Sequence, residues 1–151
     1  KLIINYPDKE AERTVMRQNT SNIKSYIDKS IINPKTILDI QSISNDIYVD
    51  SKVEDYVLNI IFATRDPKSH GLDDLENIID FGASPRATIN LIRAAKSRAF
   101  IEKRGYITPE DIRYIGKDVL RHRIILTYEA EAEELTSDNV IDRLFESIEV
   151  P

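Results

Sequence analysis

Residues 82–112 read "GASPRATINLIRAAKSRAFIEKRGYITPEDI", and this stretch decides the fold. Ser84 is a favoured helix N-cap type, and Pro85 suits the first helical position, where a missing N–H costs nothing. Stepping about 100° per residue puts Leu91, Ile92, Ala95 and Ala99 on one stripe, with Arg86, Asn90, Arg93, Ser97 and Arg104 opposite. "GY" at 105–106 then breaks the pattern. Thr108 and Pro109 repeat the start signal, with Glu110 and Asp111 in the first turn and Ile112, Ile115 and Val119 inward. Two amphipathic helices joined by a short turn predict a mainly α chain.

Working outward, "SKVEDYVLNIIFATR" predicts a helix with Ser51 and Glu54 as a capping box and Val53, Tyr56, Val57, Ile60 and Ile61 on one face. Further upstream, Asp8 caps a predicted helix at 9–18, with Glu10 and Glu12 where the dipole favours them. Asn33 and Pro34 open another, with Ile37, Ile40 and Ile43 as its buried edge. The segment 66–74, "DPKSHGLDD", carries Pro, Gly and alternating charge and is the expected hinge. Downstream, Ile124 to Tyr128 fits an extended edge segment, and "YEAEAEEL" reads as a solvated acidic edge. A last helix follows Thr136 and Ser137, with Val140, Ile141, Leu144, Phe145 and Ile148 at helical spacing. The total is about six helices with short extended segments.

Composition bounds what such a chain can do. Its 151 residues, 41% hydrophobic, suffice for a compact core. No run approaches the roughly 18 apolar residues of a membrane span. There are no cysteines, which fits a cytoplasmic protein and rules out thiolate metal sites. His70 and His122 lack ligand spacing, so no metal site is expected. The opening "KLIINYP" is a short apolar run without a leader pattern, and residues 1–7 read as the tail of a strand from a longer protein.

The net charge of −5 hides an asymmetry. Residues 82–127 hold 10 Lys+Arg against 4 Asp+Glu, whereas residues 128–151 hold 1 against 8. A basic middle beside an acidic tail is either an anion-facing surface or the source of internal pairs. Nucleic acid is a poor partner: a recognition helix at "TPEDIRYIGKDVLRHR" would bring Glu110 and Asp111 to the phosphates. No GxxxxGK[ST] phosphate loop, HExxH or zinc-deaminase spacing occurs, so the chain holds no recognisable reaction centre.

Arg86 is the residue that these filters leave. A cation in a helix's first turn opposes the dipole unless an anion compensates. Either Arg86 is solvated or paired with Asp80 or Glu76, or it meets a phosphate. Arg93 lies two turns on, about 10 Å along the axis, so the two could not grip one phosphate. Arg121, His122 and Arg123 form a second basic knot, read most simply as complementing a helix C-terminus.

"NYPDKEAE", "IYVDSKVEDYV", "ATRDP", the "GASPRA" to "YITPEDI" block, "LRHRI", "EAEAE" and "IDRLFESIEVP" occur in the order found in the MoxR-type AAA+ ATPases, and the chain resembles their helical lid. The resemblance implies that residues 1–7 end an ATPase core and residues 8–151 form the lid. It makes Arg86 the sensor-2 arginine contacting the γ-phosphate of ATP, with Ser84 and Pro85 at the ATP-facing helix start. Arg121 and Arg123 match a basic motif of the family. ATP and Mg would be cofactors of the whole protein, whose Walker motifs and arginine finger lie outside this chain. Implied partners are its own core, neighbouring subunits of a homo-oligomeric ring and a von Willebrand factor A domain protein. A free-standing helical interaction module is the competing class.

Overall fold

The computed structural model describes residues 2–20 and 30–151, which divide into two compact units, Leu2–Asp39 and Ile40–Pro151. The described residues form α1 (Lys9–Thr20), α2 (Pro34–Asn45), α3 (Ser51–Ala63), β1 (Ile79–Phe81), α4 (Pro85–Ile101), α5 (Pro109–Leu120), β2 (Ile125–Leu126), α6 (Tyr128–Ala132) and α7 (Ser137–Ser147). Among the described residues, seven α-helices and one two-stranded sheet agree with the expected mainly α chain of about six helices with short extended segments; the additional helix arises because the acidic edge at 128–132 closes into a turn of helix. Its Thr127 N-cap accepts from the Ala130 N–H, and only Ala130 of that helix is buried.

In the first unit, Asp8 Oδ1 caps α1 through the Glu10 and Ala11 N–H groups. Residues 2–7 form no helix or strand. Asn33 Oδ1 accepts from the Thr36 N–H at 2.8 Å, as the N-cap reading expects. The buried edge of α2 is a correction: Ile37 and Ile43 are exposed and Ile40 is half-buried. Isoleucine spacing marks a face, but burial also needs a partner. Ile43, which belongs to the second unit, borders an open groove there with Ile47, Phe100 and Ile101.

The core of the second unit is α3, α4, α5 and α7. Val53, Tyr56, Val57, Ile60 and Ile61 of α3 are all buried. They meet Ala87, Leu91, Ala95 and Ala99 of α4, Ile112 and Leu120 of α5, and Val140, Ile141, Leu144 and Phe145 of α7 in one cluster. Alanine on three of the four fully buried α4 positions lets the helices approach closely. The expected Ser51–Glu54 box is a second correction. Asp50, extended at φ −74° and ψ 143°, is the N-cap, and its carboxylate accepts from the Lys52 N–H. With two capping side chains adjacent, the one already in an extended backbone took the role.

Gly116 of α5 faces α7, and a Cβ there would lie 2.3 Å from the Phe145 ring. Gly116→Ala should therefore lower stability by about 1–2 kcal/mol, because the ring is a side chain that can give way in part. A urea titration would show the midpoint falling, and an unchanged midpoint would refute this packing.

The 66–74 segment lies inside the second unit and folds into two 3-10 turns, Lys68–His70 and Asp73–Leu75. Leu72 and Leu75 enter the core, Asp66 accepts from the Ser69 N–H and hydroxyl, and Gly71 takes the left-handed conformation at φ 70°. Then β1 pairs antiparallel with β2, Ile79 opposite Leu126 and Phe81 opposite Ile125. The extended segment expected at 124–128 is thus the partner of the strand leading into α4.

Candidate functional site

The start of α4 is built from three directions. β2 holds the incoming strand, with the Thr127 N–H bonded to the Ile78 carbonyl at 2.9 Å. The end of α3 holds the turn that follows. The Ala83 N–H donates to the Thr64 hydroxyl at 2.9 Å, and Arg65 Nε donates to the Ala83 carbonyl at 2.7 Å. Ser84 is the N-cap at φ −76° and ψ 167°, and Pro85 follows at the first helical position, so Arg86 is the second helical residue.

Arg86 is exposed and makes no ion pair among the described residues. The pairing weighed for it is not formed: Glu76 instead bonds Lys68 at 3.5 Å. Ser84 makes no side-chain cap bond, Pro85 has no N–H, and the Ala87 N–H donates to the Ser84 carbonyl at 2.8 Å, which leaves the Ser84 hydroxyl and the Arg86 N–H open to solvent or an anion.

The second basic knot does different work. Arg121 Nε and Nη2 donate to the two oxygens of Asp138 at 2.7 and 2.9 Å, a bidentate tie from the end of α5 to the start of α7. That hydrogen bond, with the Arg121 charge behind it, holds the Asp138 carboxyl below its usual range despite partial desolvation. Arg123 Nε donates to the Val119 carbonyl at 2.8 Å, satisfying an otherwise open helix-end group. Lys117 reaches Asp142 of α7 at 2.7 Å. The basic middle therefore pairs in part with the chain's own acidic tail. Arg123 borders a groove with Asn90, Arg93 and His122 that excludes Arg86, so the structure does not gather the arginines into one site.

Arg104 is a third correction. α4 ends at Ile101, Lys103 takes a positive φ of 58°, and the chain turns Arg104 away from the outer face onto Asp111. Asp111, expected only as a dipole-favoured first-turn acid, is 1% exposed. Its carboxylate accepts from Arg104 Nη2 at 2.6 Å and Nη1 at 2.8 Å, Arg98 Nε at 3.1 Å and the Thr108 N–H at 2.9 Å. Arg98 also lies 3.4 Å from the Tyr114 ring centroid. This cluster locks the far end of α4 to the start of α5. Sequence reading missed Thr64, Arg65 and Asp111. A threonine ending an apolar run, and a glycine just before a cap, were the available signals.

The AAA lid domain family matches residues 74–144. Along its whole length the chain is 36% identical to "Chaperone MoxR1" of Mycobacterium tuberculosis, covering 40% of that protein. Over 88% of its length it is 29% identical to "Protein MoxR" of Methylorubrum extorquens, covering 40% of it. The crystal structure of a candidate ATPase from Cytophaga hutchinsonii superposes with a TM-score of 0.89 at 38% identity, over 98% of this chain and 45% of that one. The chain thus spans less than half the length of each. Among the described residues, no helix is long and apolar enough to cross a membrane. Fold, motif order and alignment agree: the chain is similar to the MoxR-type AAA+ ATPases over their helical lid region.

Proposed function

We propose that this lid serves a chaperone-like, ATP-driven remodeller of client proteins, and that Arg86 is its sensor-2 arginine. The observation that carries the reading is an exposed arginine, without an ion pair among the described residues, on the second residue of a 17-residue helix whose N-cap side chain is uncommitted. These groups fit a phosphate. They do not fit a metal ion, since among the described residues no three His, Cys, Asp or Glu side chains group together; Mg would be held by the ATPase core.

Bound ATP would supply the phosphoryl group and its developing charge. Arg86 then stabilises that charge through a guanidinium already placed at the helix start, and transmits the nucleotide state to the lid through α4. Ser84 and Pro85 shape the same helix start. The whole protein would act in the cytoplasm as a homo-oligomeric ring, with the lid contacting its own core and a neighbouring subunit and a von Willebrand factor A domain protein as partner. The competing reading, a module offering its basic middle to an acidic partner, is weakened because Lys117 and Arg121 are bonded to α7.

In the protein carrying both core and lid, Arg86→Ala should lower ATP turnover at least about tenfold, equivalent to roughly 1.4 kcal/mol of transition-state stabilisation. Stability should stay within about 0.5 kcal/mol, because the side chain is exposed. Wild-type turnover in Arg86→Ala would remove the phosphate-sensing role.

A further inference from the structure

We propose that Thr64 and Arg65, at the end of α3, are positioning residues that set the direction of Arg86; the inference rests on the sensor-2 reading. Both backbone polar groups of Ala83 are taken by these two side chains, the N–H by the Thr64 hydroxyl and the carbonyl by Arg65 Nε. Thr64 is fully buried and its hydroxyl donates onward to the Ile61 carbonyl at 2.6 Å. That second bond fixes the hydroxyl's orientation, so it can only accept from Ala83. Arg65 lies across the turn with its guanidinium 5.1 Å from the Phe62 ring centroid. Its stem passes so close that a Cβ on Gly82 would sit 2.9 Å from its Cγ.

Between this clamp and Arg86 stand only Ser84 and Pro85, and the proline ring fixes its own φ. Few torsions are therefore left through which the helix start could swing relative to α3. The Asp111 cluster pins the opposite end of the same helix, so both ends of α4 are referenced to the core. A guanidinium that must meet charge appearing at one place in a transition state gains from such fixing, since misplacement by about 1 Å can cost around a hundredfold.

The test is a double-mutant cycle in the protein carrying core and lid, measuring kcat and KM for ATP with melting curves alongside. Thr64→Val and Arg65→Gln should each lower kcat roughly three- to tenfold, with a smaller change in KM. Each should have almost no further effect once Arg86→Ala is present, because nothing remains to be aimed. Arg65→Lys, which keeps a donor, should recover part of the loss. If either change lowers kcat by the same factor in both backgrounds, its effect is structural and the inference is overturned. It is equally overturned if both variants keep wild-type kcat while Arg86→Ala is impaired, which leaves the reading of Arg86 intact. Wild-type turnover in Arg86→Ala alone would instead defeat that reading and this inference with it. Arg65 is exposed, so its variants report even where Thr64→Val disturbs folding.

Discussion

Asp111→Asn is expected to lower the stability of the chain by about 3 kcal/mol, or roughly 10 °C in melting temperature. Every group on the carboxylate is a donor: two nitrogens of Arg104, Nε of Arg98, the Thr108 N–H and, at 3.3 Å, its hydroxyl. An amide keeps the shape but offers one acceptor atom, and its NH2 would face donors. Two guanidiniums also lose their counter-charge. Both are partly exposed, near 26–27%, which holds the cost to the low end of that for breaking a buried pair. The same carboxyl gives an acid signature. Burial, its largest single influence, raises its pKa, but the hydrogen bonds from Arg104 and the Thr108 N–H and the Arg104 charge together outweigh it, and the net shift is downward. With a folded pKa below the unfolded value of about 3.9, its contribution is present above that pH and is lost as pH falls through the folded pKa. Wild-type stability should therefore drop below about pH 4 more steeply than that of Asp111→Asn. Parallel curves in acid, or equal melting at neutral pH, would contradict this account.

Periodicity made α3, α4, α5 and α7 legible, because each buries one stripe against a neighbour: Val53 to Ile61, Leu91 to Ala99 and Val140 to Phe145 all lie where helical spacing puts them. Proline at the first helical position located three starts, at Pro34, Pro85 and Pro109. The errors share a cause. Ile37 and Ile43 form a stripe without a buried partner, Asp50 displaced Ser51 through its backbone conformation, and Arg104 left its helical face once the chain turned at Lys103. Each depends on what the chain meets beyond one helical turn, which local spacing does not encode. The site divides the same way. Arg86 stood out by position, and its lack of an ion pair among the described residues removes the pairing weighed for it and leaves the solvated and the phosphate-facing readings. The bonds that fix its helix are 18 and 19 residues apart in sequence, and no local pattern points from "ATR" to "GAS".

Gly82→Ala is the substitution that tests this junction most directly, with an expected loss of about 3 kcal/mol. Conformation does not demand glycine here: among the described residues, Gly71 is the one glycine with a positive φ. Space does. A Cβ at 82 would lie 2.3 Å from the Thr64 carbonyl oxygen and 2.6 Å from its carbon, and these are backbone atoms at the end of a packed helix. A side chain in that position could rotate away, as the Phe145 ring over Gly116 can in part; the α3 backbone cannot without shifting the helix itself. Relief must then come from the turn, which would lift from α3 and strain or break both bonds to Ala83. The buried Ala83 N–H and Thr64 hydroxyl would be left poorly satisfied, adding to the steric cost. Gly105 supplies the control, since nothing lies within 4 Å of its Cβ position; Gly105→Ala should stay within about 0.5 kcal/mol of wild type. Chemical denaturation of the two variants side by side separates the cases. Equal midpoints for Gly82→Ala and Gly105→Ala would mean that the turn does not rest on α3, and would remove the contact on which the direction of Arg86 depends.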